Sequence, residues 1–427
     1  MAHPRFRLLA TSVAVALLPG APARAQVPLT PRALGMGGAF MTAARGQESL
    51  YLNPANLALP DGPRWSVAFP RAAIIGRLSG SSAGDLLDIA RYDDLEPARR
   101  DAIFGRIPDS GVGLGFAVRL PFLAVQRGPL AVGISYGLVA EHTVGRDIVE
   151  LILYGYETGR ADYEVGNTSG FQATFWDVAA AYAVEAGAVR IGVTGHYIRG
   201  GLASASRMLE PEIDFGGSDI EVDYVGVVAR GGNGFGVDIG GAYQPDPAWT
   251  LGLVVRNAYA WMDWSDDLRV RDLELRKGVI DGKTRLEDLL DRYAESERPL
   301  GDDAGPVVAA LARSLAADAY FPTEARLGVG WCARPGTDLG LSVRATLTGG
   351  RLAGAWARAV GFGVQQRVPL GSVRAGVATD LGDGVLLGGG LSLGPLDMAI
   401  ARVYDGEVDG ATRSGWMGTV GLRLSGR

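Results

Sequence analysis

Val189-Arg190-Ile191-Gly192-Val193-Thr194-Gly195-His196-Tyr197 sets Val, Ile, Val, Gly and Tyr on one side against Arg, Gly, Thr and His on the other. An extended strand imposes that period of two, because successive side chains leave opposite faces of a sheet. The pattern recurs along the chain. Leu327, Val329 and Trp331 alternate with Arg326, Gly328 and Gly330; Leu339, Leu341 and Val343 alternate with Gly340, Ser342 and Arg344. Near the end, Trp416, Val420, Leu422 and Leu424 face away from Met417, Thr419, Gly421 and Arg423.

A soluble sandwich alternates as well, so two further features decide. The polar face mixes Arg with Gly, which suits a crowded polar lumen. Aromatic residues fall near segment ends (Trp65, Phe122, Tyr243, Trp249, Trp331, Tyr404 and Trp416), as the girdles of a membrane barrel do. Lipid offers no water to backbone groups, so a spanning sheet must close on itself. Beyond residue 25 no run of 18 apolar residues occurs, which argues against spanning helices. Glycine is abundant, 63 of 427 residues, with no three-residue period. The fold class is therefore all-β, a transmembrane antiparallel barrel over residues 63–427. Fifteen segments read as strands, among them 64–74, 111–121, 220–230, 234–244 and 385–393. Single-chain barrels normally take an even number, so one segment is miscounted and about fourteen strands are expected. Short turns on one side are assigned to Pro245-Asp246-Pro247, Arg334-Pro335-Gly336-Thr337 and Gly382-Asp383-Gly384.

Arg5 and Arg7 precede the apolar run Leu8 to Leu18, and Ala23-Arg24-Ala25 fits a small-x-small cleavage site. Residues 1–25 are expected to leave as a signal peptide. Loss of Arg5, Arg7 and Arg24 takes the 41 basic residues to 38 against 47 acidic ones, a net charge of −9. That excludes nucleic acid as a partner, since phosphate binding needs concentrated positive charge. The single Cys332 cannot close an internal disulfide.

Two stretches break the strand period. Residues 84–107 and, within a longer insertion at 262–320, residues 284–317 space their apolar residues as helices do. Thr284 is placed to cap one helix carrying Leu286, Leu289 and Leu290, and Val307 to Leu315 reads as another.

Between the leader and the first strand, residues 26–62 carry Arg32-Ala33-Leu34-Gly35-Met36-Gly37-Gly38-Ala39-Phe40 and Glu48-Ser49-Leu50-Tyr51-Leu52-Asn53-Pro54-Ala55-Asn56-Leu57-Ala58. Gly35, Gly37 and Gly38 allow close backbone approach or positive φ. Asn53 before Pro54 is a helix start, with Leu50, Leu52, Leu57 and Leu59 as apolar anchors. These two stretches, the β-rich remainder and Phe321-Pro322-Thr323-Glu324-Ala325-Arg326-Leu327-Gly328 resemble the FadL/PorV group of outer-membrane barrels, in its poorly characterised branch. The resemblance implies a fourteen-stranded barrel in the outer membrane, with the N-terminal segment as a hatch inside it. Arg32, Gly35, Gly37, Gly38, Asn53, Pro54 and Asn56 carry the hatch motif.

Catalytic chemistry is not legible. Without the leader the histidines are His142 and His196, and with one cysteine they make no His/Cys metal cluster. Gly278-Val279-Ile280-Asp281-Gly282-Lys283-Thr284 has three residues between its glycines where a phosphate-binding loop needs four. Tyr92-Asp93-Asp94 and Asp263-Trp264-Ser265-Asp266-Asp267 read as solvated loops rather than Ca²⁺ sites. Arg190, His196, Arg326, Arg344, Arg374 and Arg423 are placed on the lumen face, either to favour anionic solutes or to pair with neighbouring carboxylates. No enzyme activity and no cofactor are expected. The resemblance implies transport of hydrophobic, fatty-acid-like small molecules, with outer-membrane lipid and a hydrophobic ligand as partners. The alternative it implies is an envelope scaffold or secretion-system shuttle resembling PorV, with an envelope protein as partner.

Overall fold

A computed structural model describes residues 30–89, 95–154, 162–208, 212–214, 221–264, 266–276, 294–301, 304–352, 358–382, 384–408 and 411–426. The leader, Thr284 with its expected helix, the Gly278–Thr284 run and Tyr92-Asp93-Asp94 lie outside these residues.

The strands in chain order are β1 (Trp65–Ala68), β2 (Ala72–Ser79), β3 (Val112–Arg127), β4 (Leu130–Val144), β5 (Asp162–Glu164), β6 (Ser169–Ala186) and β7 (Val189–Met208). There follow β8 (Glu212–Asp214), β9 (Glu221–Asp246), β10 (Trp249–Asp263), β11 (Leu268–Arg276), β12 (Ala294–Pro299) and β13 (Glu324–Arg334). The last are β14 (Thr337–Thr346), β15 (Arg358–Val368), β16 (Gly371–Thr379), β17 (Gly384–Leu393), β18 (Leu396–Val408) and β19 (Ala411–Gly426). Each main strand pairs antiparallel with its neighbours, and β19 returns to pair with β1 and β2. The sheet thereby closes into a barrel of fourteen staves, β1 and β2 forming the first together.

The even count comes from β9. Segments 220–230 and 234–244, expected as two strands, are one continuous strand. Gly231-Gly232-Asn233-Gly234 carries turn chemistry, yet β7 stays paired beside it through Gly200↔Gly232 and Arg199↔Asn233. Gly231 absorbs the bend with φ of 100°.

Closure leaves two unlike ends. One carries tight turns at Gly128-Pro129, Gly187-Ala188, Pro247-Ala248, Pro335-Gly336, Pro369-Leu370 and Gly394-Pro395. The connection through Gly382 joins β16 to β17 and therefore lies at the other end, not beside the turns at 245–247 and 334–337. Strand direction alternates, so only every second connection returns to one rim. The long connections occupy that other end. They carry helices Ala83–Ile89, Pro97–Phe104, Arg146–Tyr154 and Pro306–Asp318, the third of which the sequence reading missed. Ile89, Ile103, Val149 and Leu153 from the first three, with Ile107 just beyond the second, form a small core of their own. Leu311 and Leu315 of the fourth pack with Phe175, Trp264 and Phe321, so the insertion after β10 is seated on the strands.

Alternation along the strands appears as burial. On β7, Thr194 and His196 are buried while Val189, Ile191, Val193 and Tyr197 are exposed. The outer face is apolar elsewhere too, through Phe235, Leu253, Phe362, Leu387 and Val420. An apolar surface of this extent needs a covering that water does not supply.

Candidate functional site

The first stave is interrupted. Phe69-Pro70-Arg71 separates β1 from β2, and next to it the pairing of β3 with β4 shifts register between Pro121 and Leu123. Proline lacks an N–H, so Pro70 and Pro121 each remove a ladder donor at the same level of the wall. What bonding remains is sparse: Phe69 donates to the Leu422 carbonyl at 3.0 Å, and Arg71 to the Pro121 carbonyl at 2.9 Å. Phe69, Phe122 and Leu123 are exposed on the outside. Inside, the buried Arg71 guanidinium lies over the Tyr51 ring, 5.6 Å from its centroid.

Tyr51 belongs to the N-terminal segment, whose residues 30–59 are almost entirely buried. Thr30 caps the helix Pro31–Gly35 by accepting from the Ala33 N–H at 3.2 Å. The chain then turns at Gly37 and Gly38, with φ of 60° and 83°. A Cβ on Gly37 would meet the Val377 backbone at 2.7 Å, so only glycine passes there. The wall answers with its own glycines. Gly340 lies against Ala39, Gly361 against Gly37, Gly363 and Gly376 against Met36, and Gly388 against Leu34. On the far side of the ring, Gly192 and Gly240 take Ala55 and Asn53. The segment thus touches strands on opposite sides of the ring.

Polar side chains fix its path. Asn53 Oδ1 accepts from the Ala55 N–H at 3.1 Å, capping the short 3-10 helix Pro54–Ala58, while its Nδ2 donates to the Gly241 carbonyl at 3.0 Å. Asn56 Nδ2 donates to the Met41 and Ala44 carbonyls at 2.7 and 3.1 Å. Leu50, Leu52, Leu57 and Leu59 are buried. Arg32 reaches Glu48 at 3.6 Å and Asp397 at 3.5 Å.

The lumen-face candidates fall into two clusters, with one outlier. Arg374, 3.1 Å from Asp397, and Arg423, 3.4 Å from it, join Arg32 around that carboxylate. His196, Arg326 and Arg344 belong to a belt over six adjacent strands, β6 to β14. His196 Nδ1 is 3.0 Å from Asp177 and Nε2 is 3.3 Å from Asp238. Imidazolium, with an N–H on both nitrogens, satisfies both carboxylates. Asp238 also receives Arg256 at 3.5 Å, and Glu324 receives Arg326 at 2.6 Å. Arg344 stands 4.0 Å from Glu324. Arg190 sits apart, near the tight turn, 3.4 Å from Glu185. Sequence reading missed the acidic partners; inward parity marks Asp177 and Asp238, and Glu324 stands two residues from Arg326.

Between the loop-end residues of β2, β3, β4, β6 and β7 and the helix Pro306–Asp318 lies a cavity of about 520 Å³. Phe171 and Leu311 give it apolar surface, and Arg77, Glu141, Arg207 and Arg351 give it polar surface.

No family model matches the chain, and no curated protein does. Solved structures do. The Ralstonia pickettii toluene transporter TbuX matches at 13% identity and TM-score 0.53, over 94% of this chain and 99% of that one. The CymD monoaromatic hydrocarbon channel matches at 14% and 0.54, over 94% and 97%. The P. putida toluene transporter TodX matches at 11% and 0.50, over 94% and 99%. At such identities the likeness is one of fold: the chain has the closed fourteen-stranded barrel of the FadL-type transporters.

Proposed function

We propose that the chain is an outer-membrane protein that passes hydrophobic small molecules, with residues 26–62 as its hatch. The interruption of the wall at Phe69-Pro70-Arg71, beside the Pro121–Leu123 irregularity, carries the reading. A straight axial path is a poor one for an apolar solute, because it meets the hatch and the charged belt from Asp177 to Arg344. Apolar solutes gain nothing there, and baring those paired charges is costly. An exit sideways into lipid avoids both. The solute enters at the loop end, where the cavity beside Phe171 and Leu311 has the size of a small-molecule site. Movement of the hatch withdraws Tyr51 from Arg71 and opens the wall from within. Toluene and monoaromatic hydrocarbons are what the named neighbours carry; here the substrate class is set more broadly, as apolar molecules including fatty acids. Residues 1–25 are proposed as the export signal.

The test is uptake of labelled toluene and a long-chain fatty acid by cells lacking a transporter of their own. The chain is expected to raise uptake of at least one probe, and Phe69→Asp to abolish the gain while heat-modifiable gel mobility stays that of a folded barrel. No gain with either probe would contradict the reading.

A further inference from the structure

A groove of about 1370 Å³ lies on the outside of the wall, across β18, β19, β2 and β3. Two outward glycines make its floor. Gly418 sits between Ile400 and Ile74 in the register, and Gly76 between Trp416 and Phe116. A Cβ at either glycine would meet nothing within 4 Å, so the space above them is open. The four flanking side chains are exposed and apolar. The floor and banks therefore fit a chain of methylenes.

The end of the groove toward the long connections has the opposite character. Arg402 follows Ile400 on the outward face, an expensive place for a charge unless it lies near an interface or meets an anion. Its guanidinium rests over Trp416 at 4.9 Å and Tyr404 at 5.1 Å, and Nη2 donates to Ser414 Oγ at 3.0 Å. No carboxylate pairs with it among the described residues. Arg99 and Arg106 approach from the helix Pro97–Phe104 and the turn after it, and both also line the groove. They share Asp85, at 3.2 and 2.5 Å, and Arg99 also holds Asp88 at 2.5 Å. Three guanidinium groups thus stand against two carboxylates, at the end of an apolar trough.

We infer that this groove binds a phospholipid of net negative charge from the surrounding leaflet. The inference rests on the reading of the chain as a membrane barrel but not on what it transports. One acyl chain lies over Gly418 and Gly76, and the phosphate meets Arg402 with Arg106. A guanidinium fork matches phosphate oxygens two at a time, and the surplus of guanidinium charge favours a headgroup whose phosphate is not offset by its own quaternary ammonium. The tryptophan and tyrosine beside Arg402 hold its charge at the level where headgroups begin.

The test uses the full-length barrel, inserted in vesicles of phosphatidylcholine with 20 mol% (roughly one lipid in five) phosphatidylglycerol, then extracted and weighed by native mass spectrometry. The expected result is enrichment of retained phosphatidylglycerol over its share of the vesicle. Arg402→Gln is expected to cut that enrichment about tenfold, the worth of one charge-assisted contact, without changing retained phosphatidylcholine. Gly418→Trp, which fills the trough, is expected to lower retention of both. Absence of enrichment, or enrichment unchanged in Arg402→Gln, overturns the inference. So does a stable dimer that Gly418→Trp dissociates, since a second copy then covers the groove. Failure of the wild-type barrel to insert overturns the membrane reading as well, whereas insertion without enrichment leaves that reading standing.

Discussion

The guanidinium of Arg71 lies over the ring of Tyr51, 5.6 Å from the centroid, behind the one place where the first stave breaks. One partner belongs to the wall and the other to the N-terminal segment. In the proposed exit, this contact couples the segment's position to the opening of the interruption. Tyr51→Leu keeps bulk but deletes the ring face, and with it about 0.5–2 kcal/mol of cation–π attraction. Uptake of an apolar probe is expected to rise while the folded barrel persists. Unchanged uptake in vesicles would separate the contact from passage.

Gly37 and Gly38 both have positive φ, but only Gly37 faces backbone across a gap too small for a Cβ. Gly38→Ala is expected to cost about 1–2 kcal/mol, the left-handed penalty alone. Gly37→Ala adds a collision with Val377 that no side-chain rotation relieves, so its cost is larger. Unfolding in urea, followed by heat-modifiable mobility, measures the difference. Equal costs would show that the segment does not press on β16.

His196 holds Asp177 and Asp238 apart from mutual repulsion. His196→Leu leaves two buried carboxylates short of a cation, and a loss of about 3–5 kcal/mol is expected. Combining it with Asp177→Asn should recover part of that loss, a coupling that a double-mutant cycle reads directly.

At the loop end, Asp85 is buried, which raises its pKa. Hydrogen bonds from Ser82 and Arg106 outweigh that effect and hold the carboxyl below its usual range. Stability from a lowered carboxylate pKa is present above the unfolded value of about 3.9 and lost as pH falls through the folded one. Protection of the amides in residues 82–89 and 95–107, taken relative to the intrinsic exchange rate at each pH, should therefore be high at neutral pH and fall below about pH 4. Asp85→Asn should already show fast exchange at neutral pH.

Much of this was legible from period alone. Outward positions such as Ile191 and Val193 had to be apolar and inward ones such as His196 did not, so parity located the two faces. Asn53 announced its cap because capping is local. Other features depended on residues far apart in the chain. Gly231 to Gly234 has the composition of a turn, and only the neighbouring β7 keeps it a strand. Pro70 within segment 64–74 was a local warning of a broken stave, but its alignment with Pro121 requires the register. The carboxylates around His196 and the arginines around Asp397 join strands whose order a single sequence does not state. Arg402 shares parity with Ile400 and Tyr404, yet its meaning emerges only beside Gly76 and Phe116.

Tethering the segment tests the central claim most directly. Thr42 Cβ lies 3.1 Å from where a Gly330 Cβ would stand, a few tenths of an ångström short of the usual disulfide spacing. In a Cys332→Ser background, Thr42→Cys with Gly330→Cys would lock the segment to β13 when oxidised. Uptake of an apolar probe is expected to stop in the oxidised barrel and return on reduction. Equal uptake in both states, with the disulfide formed, would contradict a hatch that moves to open the wall.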